Sequence, residues 1–362
     1  MTTLLRLRFP GTDEPIPLAV SEGRFVDPDA SPIDEELDTG GWWAIPGLVD
    51  AHAHLSLSSL AEVADADEAR VLDNLERHAW MQLEGGVLLV LDKGGPFDVS
   101  LRILDADPTR RPALEMAGRI IANSGGYYAA FGVEVDEEGL ADAVAAAARP
   151  PARWVKIIGD WPRKGVGPVT NFGEAALRTA VEVAHAAGAR VAVHTMAPEV
   201  PPMAVAAGVD SIEHGTFLDE TSLEALAARG GAWVPTVTNT RAIVEFLGPD
   251  RSGGRLLARG LENLRALLPV AEALGVTVLA GTDLAVPHGR VGVEALALRD
   301  FGLSTAAALE AVTTAGHRYV GVDDPLAPGR SADVVFVAAD PLERLETILE
   351  PTMVLRAGRR IR

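Results

Sequence analysis

The sequence predicts an α/β chain: a (β/α)8 TIM-type barrel with a small β-sandwich domain formed by the N- and C-terminal segments. Three observations point there. Short apolar runs with strand character alternate with helical patterns eight times, and parallel strands need such crossover helices. The length of 362 residues exceeds one small domain but suits a barrel carrying an accessory piece. With 48% hydrophobic residues and a mean hydropathy of +0.16, the chain can bury a large core.

The elements follow in order. Leu4–Phe9 alternates, with Leu5, Leu7 and Phe9 on one face, and Pro10-Gly11 ends it in a turn. Barrel strands are expected at Ile45–Asp50, Val87–Leu91, Leu114–Ile121, Trp154–Ile158, Arg190–Val193, Asp210–Glu213, Ala232–Thr236 and Val276–Thr282. Helices are expected at Ala61–Glu84, Leu140–Ala148, Gly173–Ala187, Ser222–Arg229 and Arg255–Leu274, with a helical tail over Thr305–Val320. After the Ala-Pro-Gly turn of residues 327–329, Ala332–Val337 and Met353–Leu355 again read as strands. Two or three strands are marginal alone, so residues 1–45 and 321–362 are expected to pair into one β-domain beside a barrel spanning 46–320.

Composition excludes several functions. The absence of cysteine removes disulfides and thiolate ligands, leaving His, carboxylate or a modified side chain to hold any metal. A net charge of −19 repels nucleic acid and anionic membranes. No apolar stretch can span a bilayer, and Met1–Arg6 lacks a signal-peptide pattern, so a cytoplasmic location is expected. A homo-oligomer is compatible with this composition.

Chemistry-bearing residues fall at strand ends. His52 and His54 close the run Trp42–Ala51, where a strand's period of two places both imidazoles on one face. Lys156 lies within strand four, His194 after strand five, His214 after strand six, and Asp283 after strand eight. In such barrels the C-terminal strand ends form the active site, so these six converge on one rim and are expected to bind metal. Lys156 is a lone cation among apolar neighbours. It must either pair with a carboxylate such as Asp283 or, as a neutral amine, capture carbon dioxide as a carbamate that bridges two metals, and the latter reading is favoured. His78, His185 and His317 fall in helical patterns and read as structural.

The run Pro46-Gly47-Leu48-Val49-Asp50-Ala51-His52-Ala53-His54-Leu55 resembles the first-strand signature of the amidohydrolase superfamily. The resemblance continues through Val155-Lys156-Ile157, Val193-His194, Ser211-Ile212-Glu213-His214-Gly215, Gly281-Thr282-Asp283 and Pro328–Val335, nearly the whole chain. It implies the binuclear branch, closest in motif to prolidase-like (Xaa-Pro dipeptidase-like) and aryl-amide hydrolases. Carried over, His52, His54 and Asp283 hold one divalent metal, and His194 and His214 the other. Carboxylated Lys156 bridges them, with zinc expected and manganese, cobalt or iron as alternatives. The implied reaction is attack of a metal-bridging hydroxide on an amide carbonyl, with Asp283 taking the proton and passing it to the leaving nitrogen.

Two departures shape the substrate reading. Where prolidase-like relatives carry Gly-Gly-His, this chain has Ser124-Gly125-Gly126-Tyr127-Tyr128. A Tyr127 or Tyr128 hydroxyl could polarise the carbonyl in place of the imidazole, or both could simply line a loop. His194 is followed by Thr195-Met196-Ala197, so the His-x-x-Glu of deaminases is missing and Glu199 is wrongly spaced, which argues against deamination.

Arg163, beside Lys164 in Trp161–Lys164, offers a bidentate fork for the carboxylate of a dipeptide or N-acyl amino acid, against a solvated loop as the alternative. Arg241 and His288 are weaker candidates of the same kind. The small-molecule substrate is therefore expected to be such an amide. The rivals are a lactone, carbamate, cyclic imide or phosphotriester at the same site, a mononuclear deaminase, or a non-catalytic scaffold.

Overall fold

The computed structural model describes residues 1–30, 32–59, 62, 67–128 and 131–362. Among them, eight strands form the frame that carries the site: β1 (Leu48–Ala53), β2 (Val87–Asp92), β3 (Ala113–Met116), β4 (Trp154–Ile158), β5 (Arg190–Thr195), β6 (Ser211–His214), β7 (Ala232–Val234) and β8 (Thr277–Val278). Pairing is parallel from β1 through β3 and from β4 through β8. Two seams close the ring. A parallel bridge joins Ala117 to Trp154. On the other side Ala51 N donates to Ala280 O at 2.8 Å, while the Thr282 and Asp283 amides donate to His52 O at 3.1 and 2.8 Å.

Three predicted strands are reshaped. The first breaks at Gly47: Trp43–Pro46 joins the terminal β-domain, and the barrel strand begins at Leu48. A side chain at Gly47 would put its Cβ 2.3 Å from Leu88 Cβ, so the close approach of neighbouring strands requires glycine there. The third breaks at Gly118, giving Ala113–Met116, which pairs with β2, and Ile120–Asn123, which pairs with β4 through Ile121 and Ile157. The eighth is regular only over Thr277–Val278; beyond it Leu279 N still donates to Trp233 O on β7, Ala280 N turns to Ala311 O, and Ala280 O and Thr282 N bond to β1.

The helices cover the outside of the ring. Glu68–Glu84 starts at Asp67, whose carboxylate accepts Arg70 N at 2.8 Å, satisfying one of the otherwise orphaned first-turn amides. Its expected earlier start at Ala61 falls on residues 61 and 63–66, outside the described residues. Glu174–Ala186 and Ser252–Leu274 occupy two further predicted helices. The predicted tail is two helices, Thr305–Ala311 and Thr314–Tyr319, parted where the Val312 carbonyl leaves the helix to accept Val49 N. Helix Val237–Leu247 and the hairpin Asp160–Arg163/Gly167–Thr170 stand where the sequence reading has loops.

Inside the ring a period-two pattern stacks side chains in layers. Ala51, Leu89, Leu91, Trp154, Ala192, Ala232 and Val234 form an apolar floor. The next inward positions toward the C-terminal ends are Lys93, Lys156, His194 and Glu213, all buried. A register shift between Asp50 and Ala53 lets His52 join this upper layer although Ala51 already faces inward.

Both chain ends build two four-stranded sheets. Strands Thr2–Leu7, Ile16–Ser21, Arg24–Val26 and Glu35–Glu36 make one; Trp43–Pro46, Val334–Val337, Met353–Arg356 and Arg359–Arg360 make the other. Leu5, Leu7, Phe25, Val334, Phe336 and Leu355 pack together in one apolar cluster, which neither terminal segment could assemble alone. No described helix is long and apolar enough to cross a membrane.

Candidate metal centre

The six ligand candidates meet at the barrel mouth. Single ligand atoms of His52, His214 and Asp283 all lie within 4.8 Å of one another. His54 Nε2 is 3.3 Å from Asp283 Oδ1, and Lys156 Nζ is 3.3 Å from His52 Nε2. The His194 ring sits 4.6 Å from the His214 ring, centroid to centroid. Asp283 receives a 2.7 Å hydrogen bond from Asn239 Nδ2 through Oδ2, leaving Oδ1 between His52 and His54.

The ring orientations decide what this cluster can hold. His54 Nδ1 is 2.7 Å from Gly94 O, which can only accept, so the proton sits on Nδ1 and the Nε2 lone pair faces Asp283. His214 Nδ1 lies 2.6 Å from Thr236 Oγ1, and its Nε2 points to Asp283 Oδ2 at 3.6 Å. His52 Nδ1 makes a close, bent contact with Glu213 Oε2 at 2.6 Å. His54 and His214 thus tie down Nδ1 by hydrogen bonds, His52 Nδ1 faces the Glu213 carboxylate, and all three present Nε2 to Asp283, the donor set and outer support that a divalent cation requires.

Electrostatics agree with that reading. Burial holds the His52 and His194 imidazoles well below their usual range and His214 at about 4, so all three are neutral lone-pair donors near neutral pH. Burial alone would raise Asp283, but His52, His54 and His214 around it outweigh burial and hold its carboxyl far below the usual range. Burial brings Lys156 down to about 8, against the pull of Glu213 and Asp283, so a neutral amine is accessible close to physiological pH.

The backbone is bent to make the arrangement. His214 (φ 63°), Thr236 (φ 45°), Asp283 (φ 43°) and Leu284 (φ 63°) all occupy the left-handed region, sparsely populated by residues with side chains. This turn swings the His214 ring to the mouth although its neighbour Glu213 already faces inward. Gly281 gives the room: a Cβ there would stand 2.6 Å from His52 Cβ.

Aromatic side chains wall one side. The Tyr127 ring lies 4.6 Å from Trp161 and 5.7 Å from Phe131; Trp161 is 5.6 Å from His194, and Phe131 5.7 Å from His54. Burial, with the Asp283 charge adding to it, pushes the Tyr127 hydroxyl well above its ordinary value, so it stays protonated as a donor. Tyr128 lies against Trp161 at 5.2 Å and is 40% exposed.

The substrate-contact candidates scatter. Half-buried Arg163 ends the first strand of the hairpin, with Nη2 3.5 Å from Ser124 O on the tyrosine loop and a buried Nε that has no partner among the described residues. Lys164, in the hairpin turn, and Arg241, on helix Val237–Leu247, are exposed to solvent. His288 is buried with Nε2 2.9 Å from Leu57 O and its ring 4.1 Å from His78, beneath the loop rather than facing the cluster. His185 pairs with Asp210 at 2.8 Å, and His317 reaches Gly47 O at 3.0 Å.

Sequence reading passes over Lys93, Glu213, Thr236, Asn239 and Phe131. Lys93 carried the same signal as Lys156, a lone cation at the end of an apolar strand. Glu213 stands two residues after Ser211 on the inward face of β6. Phe131 and Asn239 reach the site through loop and helix placement, which periodicity does not encode.

Comparison with known proteins gives the same frame. The amidohydrolase family pattern matches residues 43–361. An uncharacterised protein of Mycobacterium tuberculosis is 35% identical over 361 residues, covering 95% of this chain and 91% of that protein. The ochratoxinase of Aspergillus niger is 25% identical over 360 residues, covering 86% and 73%. A solved Xaa-Pro dipeptidase with bound methionine superimposes with a TM-score of 0.84 at 22% identity, over 99% of both chains. With the family pattern matched over residues 43–361 and the metal-competent cluster at the barrel mouth, the chain belongs to the amidohydrolase family and is a hydrolytic enzyme.

Proposed function

We propose that this enzyme is a binuclear, metal-dependent hydrolase that cleaves the amide bond of a small substrate, a dipeptide or N-acyl amino acid. The observation that carries the reading is the convergence of three histidines, two of them anchored through Nδ1, on Asp283. His52, His54 and Asp283 would hold one ion and His194 and His214 the other, with Lys156 as a carbamate shared between them. Zinc best fits this nitrogen-and-oxygen donor set. When bound, such ions supply Lewis acidity to the carbonyl and lower the pKa of water toward neutrality.

The remaining work belongs to the chain. Asp283, ionised and pinned by Asn239, takes the proton of the attacking water as its oxygen bonds to the carbonyl carbon. As the carbon–nitrogen bond breaks, Asp283 returns that proton to the nitrogen, releasing an amine and a carboxylic acid, which gives up its own proton to solvent. Tyr127, kept protonated, donates a hydrogen bond to the carbonyl oxygen as negative charge builds there. The Tyr127–Trp161–Phe131 wall excludes water and packs a flat or apolar substrate group, and Arg163 takes a carboxylate at the edge.

The family match, the ochratoxinase relative and the Xaa-Pro dipeptidase fold support this reading. The test is a screen of dipeptides and N-acyl amino acids before and after chelation. Amide cleavage that disappears on chelation and returns with zinc is the expected result. Turnover unaffected by chelation and dialysis would contradict it.

A further inference from the structure

Beneath the candidate ligands lies a buried ion pair that the proposed reaction does not use. Lys93, directly after β2, and Glu213, on β6, are both fully buried, with Nζ 3.2 Å from Oε1. Ser211 Oγ donates to the same oxygen at 2.5 Å. The lysine ammonium also sits 4.3 Å from the centre of the Trp154 ring on β4. The other oxygen of Glu213 is the one 2.6 Å from His52 Nδ1. Three barrel strands, β1, β4 and β6, and the end of β2 are thereby tied together one layer under the mouth.

Such a pair is expensive for stability alone. Desolvating two charges costs about as much as their attraction returns, and an apolar pair of similar volume commonly serves a barrel interior as well or better. What an apolar pair cannot do is accept a hydrogen bond from an imidazole. Glu213 Oε2 stands 2.6 Å from His52 Nδ1 and neither buried atom has another partner among the described residues, so this carboxylate is the group placed to take an Nδ1 proton, and Lys93 supplies the counter-charge that lets a carboxylate stand there. We propose that Lys93 and Glu213 are a positioning pair that fixes the ring orientation and Nδ1–H tautomer of His52, so that Nε2 is presented upward as a metal ligand. The proposal rests on the metal-dependent reading above and adds to it how one ligand is held. Both residues are fully buried and act through His52.

The test uses the full-length protein, freed of metal, in Lys93→Met, Glu213→Leu and the double variant Lys93→Met/Glu213→Leu. Cobalt(II) is the probe, titrated by its visible spectrum; thermal unfolding gives stability, and nitrogen NMR of the metal-free protein reports the His52 tautomer. Each single variant is expected to bind cobalt about 10–100-fold more weakly, the usual effect of losing an outer support. The double variant, holding no unpaired buried charge, is expected to recover stability relative to Lys93→Met while cobalt affinity stays low and the Nδ1–H tautomer is no longer dominant. That separation of stability from ligation marks positioning. A double variant that regains both stability and wild-type cobalt affinity would overturn the proposal and leave the pair structural. Should the wild-type protein bind no cobalt, the metal-dependent reading fails first. The tautomer then still decides the pair's role: an Nδ1–H form lost in Glu213→Leu supports it, and an unchanged tautomer overturns it.

Discussion

His214 and Asp283 face each other at 3.6 Å across the barrel mouth, and each arrives there on a left-handed backbone, with φ of 63° and 43°. Residues with side chains hold that conformation at a cost of about 1–3 kcal/mol, so the surrounding structure must over-determine it. Trp233 does part of this by donating to the His214 carbonyl at 2.9 Å, and Asn239 by pinning the Asp283 carboxylate. Strain at both members of one contact is what a preorganised site shows.

Asp283→Asn separates the two roles given to this residue. The amide can still ligate through oxygen but cannot take the water's proton. Metal content is expected to stay near wild type while kcat falls by about 100-fold or more, the usual worth of general acid–base help. Elemental analysis beside steady-state kinetics checks this, and near-normal turnover would remove Asp283 as the proton carrier.

Gly281→Ala tests the packing that seats His52. Its new methyl would meet His52 Cβ at 2.6 Å and Val234 Cγ1 at 2.7 Å, both in the barrel wall. Overpacking of this kind costs about 1–3 kcal/mol. A lower unfolding temperature together with weaker metal binding is expected; a lower temperature with unchanged metal affinity would show that the wall yields without moving the ligand.

Stability is expected to fall on acidification through the window set by buried neutral histidines. Burial holds His288 at about 4 in the folded chain, whereas the unfolded chain protonates it near 6.5. The unfolded state therefore binds more protons between those values, and stability drops as pH falls from 6.5 toward 4. A single such group contributes about 3 kcal/mol across that window as an upper figure. Denaturant unfolding of metal-free protein at pH 7 and pH 4.5 measures it, and His288→Gln should flatten the slope. An unchanged slope in that variant would place the sensitivity elsewhere, on His214 first.

Arg163→Ala addresses the substrate end. If the guanidinium takes a substrate carboxylate, KM for an N-acyl amino acid should rise by about 10–100-fold, with little change for the matching neutral amide. Equal effects on both substrates would return Arg163 to the role of a loop residue contacting Ser124.

The sequence made the barrel legible because period-two apolar runs and crossover helices leave local patterns. The six ligand candidates were legible because strand ends of such barrels share one rim. The breaks at Gly47 and Gly118 were not, since they depend on which strand lies opposite. His214 illustrates the limit best: periodicity alone would turn it away from Glu213 and out of the mouth, and only its positive φ brings it in. Lys93 and Glu213 lay in plain view, but only the fold shows that a residue after strand two and one in strand six meet beneath His52.

The proposed function stands on a mouth that holds two metal ions. It is tested most directly by elemental analysis of protein purified without chelator and then incubated with zinc and bicarbonate. Close to two divalent ions per chain is the predicted result; a chain that retains no metal after that incubation would contradict the account.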